Sequence, residues 1–241
     1  MSEQLDKLLQ RWASIGAGFN IELADEDVDL ERLLLDTARR APENARLFTM
    51  AATWLHTYGD MIAKHRLKRL IHDELEPEAR PIIGLLLDTA QQGTHPLEFE
   101  TVIKQLETAK EPMPLFMSNR RNAKLAQLAK RRASDISRRW NRWCQSIEFK
   151  DDAIRPASWI IERHPALRTR ADFRGDLRAS ILASLRYDPG AGDSELKLAQ
   201  LSGGSRAQVR SALTNLQMTG RVSTRPATGA NRREINLLAA A

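Results

Sequence analysis

Apolar positions recur at helical spacing through almost the whole chain. In the first hundred residues the period predicts helices over 3–13, 28–40, 44–58, 60–74 and 78–91. Near the C-terminus, Leu177, Ile181, Leu182 and Leu185 mark a helix over 176–187, broken by Asp188-Pro189-Gly190-Ala191-Gly192. Ser194 caps a short helix over 195–201 whose Leu198 and Leu201 face inward, and Ser202-Gly203-Gly204 makes the next turn. Ser205 with Gln208 forms a capping box that opens a third helix, which runs to about Thr219 and stops at Gly220. The apolar stripe of that helix is Val209, Ala212, Leu213 and Leu216. The pattern then changes. A strand over 221–225 anchored by Val222, a turn over 226–230 and an alternating strand over 232–238 with Ile235 and Leu237 on one side predict a β-hairpin. The expected fold is mainly α, with a small C-terminal hairpin.

Opposite the stripe, the third helix presents Ala207, Arg210, Ser211 and Thr214, with Arg206 and Gln208 at its N-terminal end. The run SELKLAQLSGGSRAQVRSALTNLQMTGRVSTRPATGANRREINLL resembles the winged helix-turn-helix superfamily of bacterial regulators, over about a quarter of the chain. The resemblance implies that the third helix enters the major groove of double-stranded DNA and that the hairpin wing touches backbone or minor groove. Carried onto this sequence, Arg206, Gln208, Arg210, Ser211 and Thr214 would face DNA, and Arg225, Arg232 and Arg233 would sit on the wing. The same layout can serve protein contacts alone. Small residues and arginines on the outer face, without a large apolar one, favour nucleic acid.

The pentapeptide KLAQL occurs at 124–128 and again at 197–201. At the same offset, Val209 matches Ile136, Leu213 matches Trp140 and Leu216 matches Trp143. Residues 122–145 therefore read as a second, degenerate helix-turn-helix with a turn at 130–133 and Ser134 as cap, preceded by a helix over 98–110 and followed by a poor wing over 147–155. The competing reading is one long amphipathic helix with a basic face. Between Asn119 and Trp143 there are nine Lys+Arg and one acid, Asp135. Arg120, Arg121, Lys130, Arg131, Arg132, Ser137, Arg138 and Asn141 are the candidate DNA contacts of this copy. A third echo, LLLDTA at 33–38 and 85–90, reads as paired helical hairpins or as chance, with chance the simpler account.

Charge separates these segments. Residues 1–118 hold 13 Lys+Arg against 20 Asp+Glu, and residues 119–241 hold 24 against 11. An acidic half followed by a basic half implies two roles, the basic one toward a polyanion. The expected divisions are an acidic helical partner or oligomerisation domain at 1–95, a basic helix-turn-helix-like unit at 97–160 and a winged unit at 174–241. A fragment 97–241 is then expected to bind duplex DNA and a fragment 1–95 is not.

Catalytic signatures are missing from the sequence. Gly16-Ala17-Gly18 is too short for a phosphate loop and lacks the following Lys-Ser/Thr. Cys144 has no partner for a disulfide or a metal cluster and fits a reducing compartment. The run Asp25-Glu26-Asp27-Val28-Asp29 lacks the features of a cation loop and suits the start of a helix. His65, His72 and Glu76 are more simply exposed helix residues than metal ligands. No apolar run reaches the roughly 18 residues of a membrane span, and the first residues lack a secretory signal. The chain thus reads as a cytoplasmic, non-enzymatic DNA-binding protein, needing no cofactor or metal and no membrane. It would act as a transcriptional regulator with tandem units, self-associating or binding a protein partner through its acidic half. Two alternatives stay open: a DNA-binding accessory subunit of a phage-defence, plasmid-maintenance or recombination complex, and an antitoxin-like or RNA-binding interaction protein.

Overall fold

The computed structural model of the chain describes residues 3–93, 98–226 and 233–238. It is mainly helical, with fourteen helices among the described residues and a small antiparallel hairpin near the C-terminus. None of these helices is long and apolar enough to cross a membrane. In chain order the helices are α1 (Glu3–Ser14), α2 (Leu30–Arg40), α3 (Ala45–Tyr58), α4 (Lys64–Glu74), α5 (Arg80–Ala90) and the single turn α6 (Glu100–Ile103). A two-residue strand β1 (Met113–Pro114) precedes α7 (Met117–Arg120), α8 (Ala123–Arg131), α9 (Asp135–Arg139) and β2 (Arg142–Trp143). Then come α10 (Ala157–Arg163), α11 (Pro165–Phe173), α12 (Leu177–Tyr187), α13 (Glu195–Ser202) and α14 (Arg206–Met218), and the hairpin β3 (Val222–Pro226) and β4 (Arg233–Leu237).

Two compact units share these elements: residues 1–59 with 74–163, and residues 60–73 with 164–241. The divisions 1–95, 97–160 and 174–241 expected from the helix pattern and the repeat differ from these units. The basic segment lies in the same unit as α1, α2, α3 and α5, and most of α4 lies in the unit that carries the hairpin. A cut at residue 97 would therefore separate α4 from its unit.

In the first unit, α1 packs on α2, and α5 packs on both α2 and α3. Asp29 caps α2 by accepting from the backbone N–H of Arg32 at 3.3 Å, so the acidic run does start a helix. Trp12 and Trp54 meet edge to face at 5.8 Å; their indole N–H groups donate to the Thr37 hydroxyl and the Ile15 carbonyl, each at 2.8 Å. The LLLDTA echo falls on α2 and α5, and all its leucines are buried.

The second half of the internal repeat departs from expectation. Ser134 does cap α9, accepting from the Ser137 N–H, but α9 lasts five residues. Trp140 is drawn into the first unit's core, where its ring lies against Gly84 of α5; a Cβ there would come within 2.3 Å of the indole. Its N–H donates to Asp88 at 2.8 Å. Asn141 then takes a positive φ of 53°, and the chain turns into β2, parallel to β1. Trp143 consequently stands on a strand. Residues 122–145 are neither a second full helix-turn-helix nor one long helix. The helix expected over 98–110 shrinks to α6, and in place of a wing over 147–155 there is a helical turn at Asp151–Ala153 with Ile154 bridging Ala17.

From α12 onward the second unit follows its sequence closely, whereas α11 lies outside the predicted helices. Its core joins Leu177, Ile181 and Leu182 of α12, Leu198 of α13, Val209, Leu213 and Leu216 of α14, and Val222 and Ile235 of the hairpin. Gly203, at φ +77°, makes the turn between α13 and α14, and a Cβ on it would lie 2.4 Å from the carbonyl oxygen of His65 in α4. Both the left-handed backbone and the close approach require glycine. Beneath that contact lies a buried ion pair. Arg66 of α4 is fully buried and donates through Nε and Nη2 to the two carboxylate oxygens of Asp188, each at 2.9 Å. Arg69 adds a third bond at 3.1 Å.

Candidate functional site

The start of α14 is set by its own residues. The Ser205 hydroxyl accepts from the Gln208 N–H at 3.3 Å, and the Gln208 side-chain oxygen accepts from the Ser205 N–H at 3.0 Å. With Val209, Leu213 and Leu216 buried, the helix phase is determined. Arg206, Gln208, Arg210, Ser211 and Thr214 are all exposed outside that stripe. Gln208 differs from expectation in one respect, since its oxygen serves the cap and leaves only the amide N–H₂ for a ligand. Arg210 is not an idle side chain either. It donates through Nε and Nη2 to Glu195 of α13 at 3.1 and 3.0 Å, with its own side chain 62% exposed, and Arg206 approaches the same carboxylate at 3.9 Å. Sequence reasoning missed Glu195 because the pairing crosses the turn between two helices.

The hairpin rises beside this face. Arg225 is exposed on β3 and stands opposite Glu234 of β4. Arg233 lies on β4, and Arg232 lies outside the described residues. A cleft of about 380 Å³ between α14 and the hairpin is lined by Glu195, Arg210, Thr214, Gln217 and Thr224. The second unit as a whole carries 16 Lys+Arg against 8 Asp+Glu, four of the cations coming from α4.

In the first unit the basic segment divides into structural and surface cations. Arg138 donates to the carbonyls of Lys130, Arg131 and Ala133, closing the C-terminus of α8. Arg120 binds the carbonyls of Pro114 and Leu115 at 2.8 and 2.9 Å, and its burial lowers its pKa from the usual arginine value. Asn141 donates to the Ala109 carbonyl at 2.7 Å. Ser137 is fully buried, its hydroxyl donating to the carbonyls of Ser134 and Cys144, so the expectation that it faces a ligand is wrong. The buried side of α9 runs through Ser137 and Trp140, with Ile136 only partly buried. Lys130 lies over the Trp143 ring at 5.3 Å while staying exposed. Arg121, Arg131 and Arg132 are exposed, and their side chains make no hydrogen bond or ion pair among the described residues.

Burial pushes the Cys144 thiol up to about 12. The thiolate is the reactive form, so the folded protein is expected to resist a thiol-specific disulfide reagent at mildly alkaline pH and to react fully once urea unfolds it. Rapid labelling of the native chain would contradict this placement. Among the described residues, no group of three or more His, Cys, Asp or Glu side chains is arranged to hold a metal ion. No protein-family model, characterised protein or solved structure matches the chain.

Proposed function

We propose that the second unit is a winged helix-turn-helix that binds double-stranded DNA, with α14 as the groove-reading helix and the β3–β4 hairpin as the wing. The observation that carries this reading is the outer face of α14. A capping box fixes its start, its buried stripe fixes its phase, and the side it presents holds two arginines and two hydroxyl residues with no large apolar side chain before Met218. Arg225 on the hairpin and the cation excess of the unit supply backbone contacts. The exposed cations Arg121, Lys130, Arg131 and Arg132 form a second phosphate-binding patch, which needs no complete helix-turn-helix. The protein acts without catalysis, as a regulator whose first unit pairs protomers or docks a partner.

Fluorescence anisotropy of the full chain with duplex DNA, over a series of salt concentrations, tests this. The logarithm of affinity should fall linearly with that of salt, and each phosphate-binding cation removed should reduce the slope by about one. Arg131→Ala with Arg132→Ala should weaken binding uniformly across sequences. If low-salt binding is undetectable, or if the slope is unchanged by removing cations from both α14 and α8, the proposal fails.

A further inference from the structure

The sequence pattern puts α4 in the acidic half, but residues 60–73 belong with the hairpin unit, so α4 brings cations to that unit from a distant part of the chain. Its buried side is Arg66, Leu67, Leu70 and Ile71. Two of its cations, Arg66 and Arg69, are committed to Asp188. Lys68 is exposed, and its side chain makes no hydrogen bond or ion pair among the described residues. His65, one turn earlier on the same face, is exposed as well. The neighbouring acids are occupied. Asp73, at the C-terminal end of α4, is 3.5 Å from Arg69 and 2.8 Å from His72, and Asp176 accepts from Arg178 at 2.9 Å.

α4 meets the helix-turn-helix at its turn. A Cβ on Gly203 would lie 2.4 Å from the His65 carbonyl oxygen, and one on Gly175, just before α12, would lie 2.8 Å from Cε of Lys64. Arg206 opens α14 three residues after Gly203, a chain length of at most roughly 11 Å. Phosphates recur every roughly 3.4 Å of axis along each strand of a duplex, so the α4 edge lies within a few nucleotides of what the start of α14 contacts. The exposed residues of α4 are His65, Lys68, His72, Asp73 and Glu74, with no apolar side chain among them. Such an edge suits a phosphate backbone, which a lysine binds as a point charge, and lacks the apolar centre of a protein interface.

We infer that α4 is a second DNA-contacting helix, with Lys68 binding a backbone phosphate beside the groove that α14 enters. This rests on the DNA reading of α14 and adds to it an element that lies about 140 residues earlier in the chain.

Anisotropy titrations of the full chain with random-sequence duplex, repeated across salt concentrations, compare the wild type with Lys68→Ala, Lys68→Arg, and Arg206→Ala combined with Arg210→Ala. Lys68→Ala should lower the slope of log affinity against log salt by about one. Its deficit against the wild type should then shrink by about 3.5-fold as salt rises from about 50 to 200 mM. Lys68→Arg should restore the wild-type slope. Melting temperatures should not change, because the side chain is exposed. Should Lys68→Ala melt earlier, Lys68→Gln keeps most of the stem on the helix surface and takes its place. If the α14 variant lowers the slope and Lys68→Ala lowers it by less than half of the expected amount, α4 does not touch the backbone and the reading of α14 stands. A slope lowered by Lys68→Ala and not by the α14 variant overturns the arrangement inferred, because α4 would then bind without α14 beside it. If the wild type binds no duplex at low salt, both readings fall.

Discussion

Leu213→Ala should destabilise the second unit by about 2–5 kcal/mol, while Arg210→Ala should change its stability by less than about 0.5 kcal/mol. The two residues are one turn apart on α14, Leu213 on the buried stripe and Arg210 outside it. Leu213 is 4% exposed within the core formed with α12 and the hairpin, and its truncation leaves a cavity. Arg210 is bound to Glu195 in a solvent-exposed pair, whose net contribution is small. For DNA the order reverses. If Arg210 reads a guanine, its loss should cost about 1–3 kcal/mol of specific binding. Glu195 adds a refinement, because a carboxylate that holds Arg210 in the absence of DNA competes with the DNA. Glu195→Gln should therefore raise affinity for random duplex and narrow the gap between specific and random sites. All five tryptophans lie in the first unit, so tryptophan fluorescence tracks that unit while far-ultraviolet circular dichroism tracks both. Leu213→Ala should bring forward a dichroism transition and leave the fluorescence transition in place. If Arg210→Ala unfolds the unit and spares DNA binding, α14 is not the reading helix. If both stability and DNA binding survive that change, the unit is a protein-docking module and the α8 patch is the better DNA contact.

From α12 onward the second unit is legible in the sequence because its helix starts are set by residues acting on their own helices, whereas α11 lies outside the predicted helices. Ser194 and Ser205 cap where their positions imply, Asp176 caps α12, which starts one residue later than the pattern places it, Gly203 and Gly220 take left-handed backbone, and the leucine stripes sit within single helices. The expectations that failed depended on distant partners. KLAQL is a good helix at 124–128 as at 197–201, but the path of the chain after Ser134 is decided by the notch at Gly84 and the carboxylate of Asp88, some fifty residues earlier. Ser137 reads as exposed when Ile136 is matched to Val209 of the buried stripe, but the buried side of α9 runs through Ser137 and Trp140 instead. The assignment of α4 failed for a similar reason. Leu67, Leu70 and Ile71 mark a buried face, but nothing local says which core they enter. Arg66 reads as surface until Asp188 is found 122 residues away.

That pairing yields the second large effect. Asp188→Asn should destabilise the second unit by about 3–5 kcal/mol, more than an exposed ion pair could contribute. The substitution keeps the shape of the side chain and removes its charge, leaving Arg66 buried against an uncharged amide. The cost comes from desolvation: Arg66 has no exposure, the Asp188 side chain has 3%, and water cannot replace the lost partner. The pair also fastens α4, so its loss should loosen the contact between His65 and Gly203 and, with it, the turn between α13 and α14. Chemical denaturation monitored by dichroism should show the shifted transition, and tryptophan fluorescence should not, because α4 up to Asp73 belongs with the hairpin unit. Arg66→Met combined with Asp188→Leu should recover part of the loss by replacing both charges with apolar volume, with Arg69 limiting the recovery because it keeps its own charge beside the site. A fluorescence transition that shifts as far as the dichroism one would instead assign α4 to the first unit. A change below about 1 kcal/mol would mean that the pair is hydrated in solution and behaves like a surface one.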